Sequence, residues 1–362
     1  MIGFSAPALA AGGSAEPPFR FYTVVDGLTQ SEVYDIVQDR SGYLWFTTAR
    51  GLNRFDGQEF EHFTIADGLP TNRLTALHVD ADNAVWIGDA KGSVTLLHGA
   101  RVVHTIDAFS DVDTPILDIE IFGQRTLLVA EGAGIVEVVT EDRQFVPKLI
   151  PGSAIGATDI AVFGTRIWVA SETGLYELSF VGESRLQLLS DSIRHLHADG
   201  AGVLWVVDED NVIGTFQDGR MTARARIDTD EEIVGIGTDS HGLVWAATKN
   251  MLYSFDGLSA DSLAPVREFS GLNEVTSIFV DRENSVWLAS ASRLIRFLGD
   301  RFRHYRLSSG TEQVTVWGIA EDPKGQFWFG TQSGLILRRR DETLVSIDEE
   351  YGVPEGAVRD IV

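Results

Sequence analysis

Three observations predict an all-β protein built as a β-propeller of four-stranded antiparallel blades. A tryptophan-centred phrase recurs eight times at a spacing of about 41 residues, short alternating strands are separated by hairpin-length turns, and no segment sustains a 3.6-residue apolar period. Helices are therefore expected to be nearly absent.

The recurring cores read LWFTT at 44, VWIGD at 85, LLVAE at 127, IWVAS at 167, LWVVD at 204, VWAAT at 244, VWLAS at 286 and FWFGT at 327. Their markers are Trp45, Trp86, Leu128, Trp168, Trp205, Trp245, Trp287 and Trp328, separated by 41, 42, 40, 37, 40, 42 and 41 residues. Seven of the eight tryptophans fall on this comb. Around each core the grammar repeats. An alternating apolar strand such as VYDIVQD (33–39) or VTSIFVD (275–281) leads into a turn rich in Asp, Asn, Ser and Gly. The tryptophan strand follows, then a polar or glycine-containing turn, a third strand such as GLNRF and a fourth such as EFEHFT or RFRHYR. Short hairpin turns make this a meander of antiparallel strands. One such sheet cannot bury both faces, but sheets repeated at this period can stack around an axis. The tryptophan then serves as an apolar plate between neighbouring sheets, worth roughly 1.5–3 kcal/mol of burial each. With Leu128 in its place, the third unit is expected to pack less area. The third and fourth units also have short first turns, FGQRT and FGTRI, without the aspartate.

Composition narrows the partners. Twenty-nine basic against fifty-three acidic residues give a net charge of −24, a field that repels nucleic acid and anionic lipid. The run Arg338-Arg339-Arg340 meets Asp341 and Glu342 at once and reads as a solvated strand face. No apolar run approaches the length of a membrane span. The chain has no cysteine, which removes disulfides, thiolate nucleophiles and cysteine metal sites. Residues 1–18 are small and Ala/Pro-rich, and APALAAGG resembles the cleavage end of a secretory signal, so a leader or truncated signal peptide and a periplasmic or extracellular setting are expected.

The first two units carry a more specific pattern. DGLTQSEVYDIVQDRSGYLWFTTARGLNRFDG and DGLPTNRLTALHVDADNAVWIG resemble the two-component regulator propeller repeat through Gly27, Leu28, Asp39, Gly42, Trp45, Thr47, Gly51, Leu52, Arg54, Asp56 and Gly57, then Gly68, Leu69, Pro70, Asn72, Asp80, Trp86 and Gly88. The eighth unit matches through Asp322, Gly325, Trp328, Gly330, Thr331, Gly334 and Leu335, and YGVPEGAVRDIV looks like a ninth unit opening at Gly352, Pro354 and Val358. The resemblance implies the ligand-sensing region of a bacterial receptor, with a histidine kinase or diguanylate cyclase output elsewhere and homodimerisation of the full receptor. It also implies successive seven-bladed rings: one over residues 19–307, with 308–362 opening a second. A single eight-bladed ring over 19–362 stays open as the alternative. FRFYTVV (19–25) reads as an orphan outermost strand that could complete a last blade.

No catalytic fingerprint appears in usable context, so no catalytic residue, metal or cofactor is assigned. His195 and His197 could share a strand face, but a blade-interface role fits them better. DADN (80–83) and DREN (281–284) sit where each unit needs a turn, which explains them without calcium, and DTDEE (228–232) reads as a solvated charge run. A ligand is expected at the end of the axis where second-to-third-strand loops and lead-in loops gather. The candidate contacts are Arg50, Asn72, Arg73, Lys91, Glu131, Glu172, Glu209, Lys249 and Gln332, a mixed-sign polar ring suited to a carbohydrate or other polar ligand. An interaction platform for a partner protein is the second reading, and a propeller lyase or glycan-acting enzyme the third.

Overall fold

The structure, a computed structural model, describes residues 19–362 except 110–112, 142–143, 182–183, 192, 200–201, 218, 257–266, 271, 298–314, 323, 325, 340–343, 348–355, 360 and 362. Among the described residues there are eight four-stranded antiparallel sheets and no α-helix, only the single 3-10 turn Ile65–Asp67. The all-β propeller architecture expected from the repeat is present. The chain divides into two compact units, Arg20–Phe297 and Leu298–Val362 with Met1–Phe19.

The first unit holds seven of the sheets, here blades 1 to 7. Their innermost strands are Val33–Gln38, Leu74–Val79, Ile116–Phe122, Ala157–Phe163, Ile193–Ala198, Ile233–Thr238 and Val275–Val280. Each packs on the next, and the strand of blade 7 packs on that of blade 1. Blade 7 takes its outermost strand from the other end of the unit, Phe19–Tyr22. Tyr22 of that strand stacks on Trp287 and is fully buried with Phe46 and Phe55 in the cluster between blades 7 and 1. Polar bonds join the same two blades: Thr276 Oγ1 donates to Val33 O (3.3 Å), Gln38 Nε2 to Glu283 Oε2 (2.7 Å), and Arg282 N to Gln38 Oε1 (2.9 Å). The RFRHYR segment, read above as a fourth strand, lies outside the described residues.

The comb of tryptophans is explained by packing and by one further contact. Trp45 fills the cluster between blades 1 and 2, and Trp86 that between blades 2 and 3. The aspartate six residues earlier uses one carboxylate oxygen for turn N–H groups and the other for the indole. Asp39 Oδ1 accepts from Ser41 N (2.8 Å) and Tyr43 N (3.1 Å) while Oδ2 accepts from Trp45 Nε1 (2.9 Å). The same indole bond joins Asp80 to Trp86, Asp199 to Trp205, Asp239 to Trp245, Asp281 to Trp287 and Asp322 to Trp328. The first carboxylates of DADN and DREN, Asp80 and Asp281, are thus occupied by turn and tryptophan.

The third unit needs a correction. Strand register pairs Ile119 with Leu128 and Glu120 with Leu127, whereas blade 2 pairs Leu77 with Ile87 and His78 with Trp86. Leu127, not Leu128, therefore holds the tryptophan place, and it packs toward blade 4 while Leu128 packs toward blade 2. Two adjacent leucines gave the sequence no aromatic by which to choose, and the first turn of this blade is one residue shorter. Phe122 pairs directly with Arg125, and in blade 4 Phe163 pairs with Arg166. Such two-residue hairpins need a left-handed first residue, supplied by Gly123 (φ 63°) and Gly164 (φ 62°).

In the second unit, the eighth sheet comprises strands Val316–Glu321, Phe327–Thr331, Gly334–Arg338 and Leu344–Ile347. Beyond it, Val358 N donates to Thr331 O (2.9 Å), and a Cβ at Gly330 would meet Val358 O at 2.7 Å. Gly88 of blade 2 meets Ile116, the first residue of the next inner strand, at the same 2.7 Å, so Val358 stands where a following unit begins. Ile319 of the eighth sheet is 63% exposed, whereas its counterpart Ile36 in blade 1 is 2% exposed.

Candidate functional site

The second-to-third-strand turns and the lead-in loops are tied to each other by backbone hydrogen bonds. Ala90 N donates to Arg73 O (3.0 Å), Glu131 N to Pro115 O (3.0 Å), Glu172 N to Gly156 O (3.2 Å) and Ala291 N to Glu274 O (3.2 Å). One bond crosses between blades, from Val275 N to Lys249 O (2.9 Å). These loops form the end of the ring where a ligand was expected.

The expected contacts divide into four groups. Glu172 and Glu209 line a cavity of about 370 Å³ formed by blades 4 and 5 and the loop leading into blade 6. Arg50, Arg73, Lys91, Glu131 and Lys249 are exposed on the loops and line neither of the cavities described below. Asn72 is engaged structurally, its side-chain oxygen accepting from Ile65 N (2.9 Å) to hold the turn before blade 2. Gln332 lies in the second unit, where its backbone N donates to Thr315 O (3.2 Å).

The lateral cavity is also lined by Arg194, His195, Asp208, Asn211 and Glu232. Arg194 donates to Glu209 Oε2 (2.9 Å) and to Asp191 O (2.7 Å). Asp208 Oδ1 accepts from Asp210 N (3.0 Å) and Val212 N (2.9 Å), and Asn211 Nδ2 donates to Glu231 O (2.9 Å). Glu231, placed above in a solvated run, instead bonds Asn250 through Nδ2 (2.7 Å) and N (3.1 Å).

A second cavity of about 340 Å³ runs between the innermost strands and takes residues from all seven, among them Asp35, Thr75, Asp118, Asp159, His195, Gly235 and Ser277. These stand beside a register shift near the start of each strand, which frees a backbone N–H one or two residues on. The aspartates bridge such groups from blade to blade. Asp35 accepts from Ile36 N and from Leu77 N of blade 2, both at 2.7 Å; Asp118 accepts from Ile119 N (2.7 Å) and from Ile160 N of blade 4 (2.8 Å). Asp159 reaches Leu196 N of blade 5 at 3.4 Å. Burial and then the neighbouring Asp118 raise Asp35 to about 7 and Glu120 to about 8. Burial also raises Asp118 and Asp159, whose carboxyls hydrogen-bond each other. His78, His195 and His197 are pushed down by burial. His197 Nε2 meets Thr238 Oγ1 of blade 6 at 3.2 Å, a blade-interface bond, whereas His195 stands on the wall shared by both cavities.

Sequence reasoning missed the axial carboxyls and the grouping of His195 with Arg194 and Glu232. The former did leave a signal, because Asp-Ile recurs at one register in VYDIV, ILDIE and ATDIA. The latter left none, since Glu232 joins it from a separate segment of unlike sequence.

The fold is a β-propeller with one cavity at the loop end and one between the innermost strands. The chain carries two-component regulator propeller repeats, matched at residues 27–50 and 310–333. It is similar in fold to the extracellular domain of BT4673 from B. thetaiotaomicron, described as a hybrid two component system, with 17% identity, TM-score 0.61, and coverage of 96% of this chain and 47% of that one. The corresponding domain of BT3049 from the same organism gives 18% identity and TM-score 0.62 over 91% of this chain and 49% of that one. Virginiamycin B lyase from Staphylococcus aureus gives 14% identity and TM-score 0.61 over 77% and 98%. A 43-residue stretch is 54% identical to histidine kinase P4 of Formosa agariphila, covering 12% of this chain and 3% of the kinase. The chain thus spans about half the length of the extracellular domains it matches and a small part of the kinase.

Proposed function

We propose that this chain is the sensing region of a bacterial signal-transduction receptor, on the periplasmic or extracellular side of the membrane. It binds a polar ligand, with carbohydrate as one candidate, and signals to a kinase or cyclase elsewhere in the full-length protein. It is not itself an enzyme in this reading. The observation that carries the proposal is the lateral cavity at the loop end of a propeller bearing sensor-type repeats, lined by charged side chains from three segments.

The same reading makes residues 19–307 one seven-bladed ring and 308–362 the opening of a second. Contact between the inner strands of blades 7 and 1 supports the first part. The bare Ile319 and the seating of Val358 on Gly330 support the second, because further blades of a new ring would cover the one and continue the other.

The test is a thermal-shift screen of the purified chain against soluble oligosaccharides and other polar small molecules, since a ligand that binds only the folded state raises the melting temperature. A hit whose effect disappears on Glu172→Ala is expected. A screen with no hit, together with capture of a defined protein partner, would replace this reading with the interaction platform. That second reading has its own observation: two matching turns, Thr23–Leu28 and Thr64–Leu69, each closed by a threonine–aspartate pair, expose Val25 and Ile65 at their tips.

A further inference from the structure

We propose that the lateral cavity between blades 4, 5 and 6 selects a ligand bearing an ammonium group, such as an amino sugar or small polyamine, over neutral or anionic compounds of the same size. This deepens the ligand-sensing reading and rests on it. The argument is an inventory of which polar groups remain free once the protein's own hydrogen bonds are made.

The donors are engaged. Arg194, the one cation among the described lining residues, is held by Glu209 Oε2 (2.9 Å) and by the Asp191 carbonyl (2.7 Å). The Asn211 amide donates to Glu231 O (2.9 Å), and Ser171 Oγ donates to Gly174 O (3.1 Å). Two of the four carboxylates are not. Glu172, from the second-to-third-strand turn of blade 4, and Glu232, from the loop leading into blade 6, have no hydrogen-bond or ion-pair partner for their carboxylates among the described residues. His195 shares the cavity wall, with Glu232 as its charged neighbour, and its ring likewise makes no hydrogen bond among the described residues. Burial holds its imidazole below the ordinary histidine value, so near neutral pH it is uncharged and keeps one acceptor nitrogen.

Charge points the same way. The lining carries four carboxylates, Glu172, Asp208, Glu209 and Glu232, against the single guanidinium, in a chain of net charge −24. A uronate, sulfate or phosphate would meet this field with no free cation to pair it. A neutral sugar could use the acceptors but gains nothing from the field. An ammonium group supplies three donors and a positive charge, and charge-assisted bonds are roughly twice as strong as neutral ones. A space of about 370 Å³ admits a mono- or disaccharide or a short polyamine.

The experiment compares probes matched in size: glucosamine, glucose and glucuronate, with spermidine as an amine that is not a sugar. Each is titrated at constant ionic strength against the wild-type chain by calorimetry and thermal shift. Two double variants accompany it: Glu172→Gln/Glu232→Gln in the cavity, and Glu59→Gln/Asp82→Asn in exposed turns outside it. All of these acids are on the surface, so unchanged melting temperatures without ligand serve as the folding control. Binding of at least one amine is expected, with glucose and glucuronate at least tenfold weaker. The cavity variant should weaken amine binding about tenfold or more, and the turn variant less than twofold. Equal binding of glucose and glucosamine would overturn the ammonium inference and leave the ligand-sensing reading standing. Preference for glucuronate, absence of binding by both amines at 10 mM, or equal weakening by the two double variants would also overturn it. Failure of the ligand-sensing reading itself is separate and is read from the wider screen.

Discussion

Blades 1, 2, 5, 6 and 7 place an aspartate in the first turn, whereas blades 3 and 4 close that turn with two residues and place their aspartates at the axis. Blade 1 does both, with Asp35 on the inner strand and Asp39 four residues later in the turn. The two registers do different work. A turn aspartate ties a blade to itself, joining turn N–H groups and the buried indole. An axial aspartate ties one blade to the next by taking the N–H that the strand's register shift frees. Where the turn aspartate is missing, the indole goes without: Trp168 Nε1 of blade 4 is buried and has no hydrogen-bond partner among the described residues. A buried donor left so costs about 1–3 kcal/mol, which Trp168 of blade 4 carries and Trp205 of blade 5, bonded to Asp199, does not.

The strongest way to break this comparison is to remove a turn aspartate. Asp281 is 5% exposed and accepts from Ser285 N and Trp287 Nε1, both at 2.7 Å. Asp281→Ala leaves both donors unpartnered beside the cluster that joins blades 7 and 1. A loss of about 2–4 kcal/mol is expected in denaturant unfolding. A loss under about 0.5 kcal/mol would mean that water serves the turn as well as the carboxylate does.

That aspartate also marks the limit of what the sequence could show. The period, the strand grammar and the turn chemistry are all local, and each was legible. The aspartate was read as a turn residue because Asp suits turns, and its second oxygen was overlooked although the six-residue spacing to tryptophan recurs in six units. Leu127, not the expected Leu128, takes the tryptophan place because register depends on turn length, and the shorter hairpin of blade 3 moves it by one. The loop end was legible as a region. Which of its residues remain free was not, since Asn72 and Glu209 are occupied by partners that only the folded chain brings near.

A smaller effect separates the two kinds of blade through their tryptophans. Trp287→Phe removes the indole donor that Asp281 meets and part of the ring that Tyr22 stacks on, at an expected cost of about 2 kcal/mol. Trp168→Phe removes a similar area together with an unsatisfied N–H, and the two changes offset, so a change of less than about 1 kcal/mol is expected. Equal losses at the two positions would show that area alone governs both.

The buried acids of the inner strands should give a pH dependence that single substitutions can isolate. Asp35, raised to about 7, and Glu120, raised to about 8, hold protons in the folded protein that the unfolded chain releases near pH 4. Their contribution to stability is complete below pH 4 and is lost as pH climbs through 7 and 8. His78, His195 and His197, pushed down by burial, act in the opposite sense: their contribution is complete above about pH 6.5 and lost as pH falls. Asp35→Asn and Glu120→Gln should therefore flatten the fall in melting temperature between pH 5 and 8.5. Profiles parallel to wild type would place these carboxyls in water.

The smallest expected effect tests how the aspartate turns join neighbouring blades. Asn83 adopts φ 62°, and its side-chain oxygen accepts from Arg40 N of blade 1 (2.6 Å); Asn284, at φ 64°, accepts from Ser240 N of blade 6 (2.8 Å). Each asparagine thus supplies both a left-handed turn residue and a link to the preceding blade. Asn83→Gly keeps the conformation and deletes the link, so an exposed hydrogen bond is lost, about 0.5–1 kcal/mol. Asn83→Ala deletes the link and also strains the turn, and should cost about 1 kcal/mol more than the glycine variant. Near-equality of the two variants would assign the asparagine to blade linkage alone. A neutral glycine variant would assign it to turn conformation alone, leaving the axial aspartates as the main polar ties between adjacent blades.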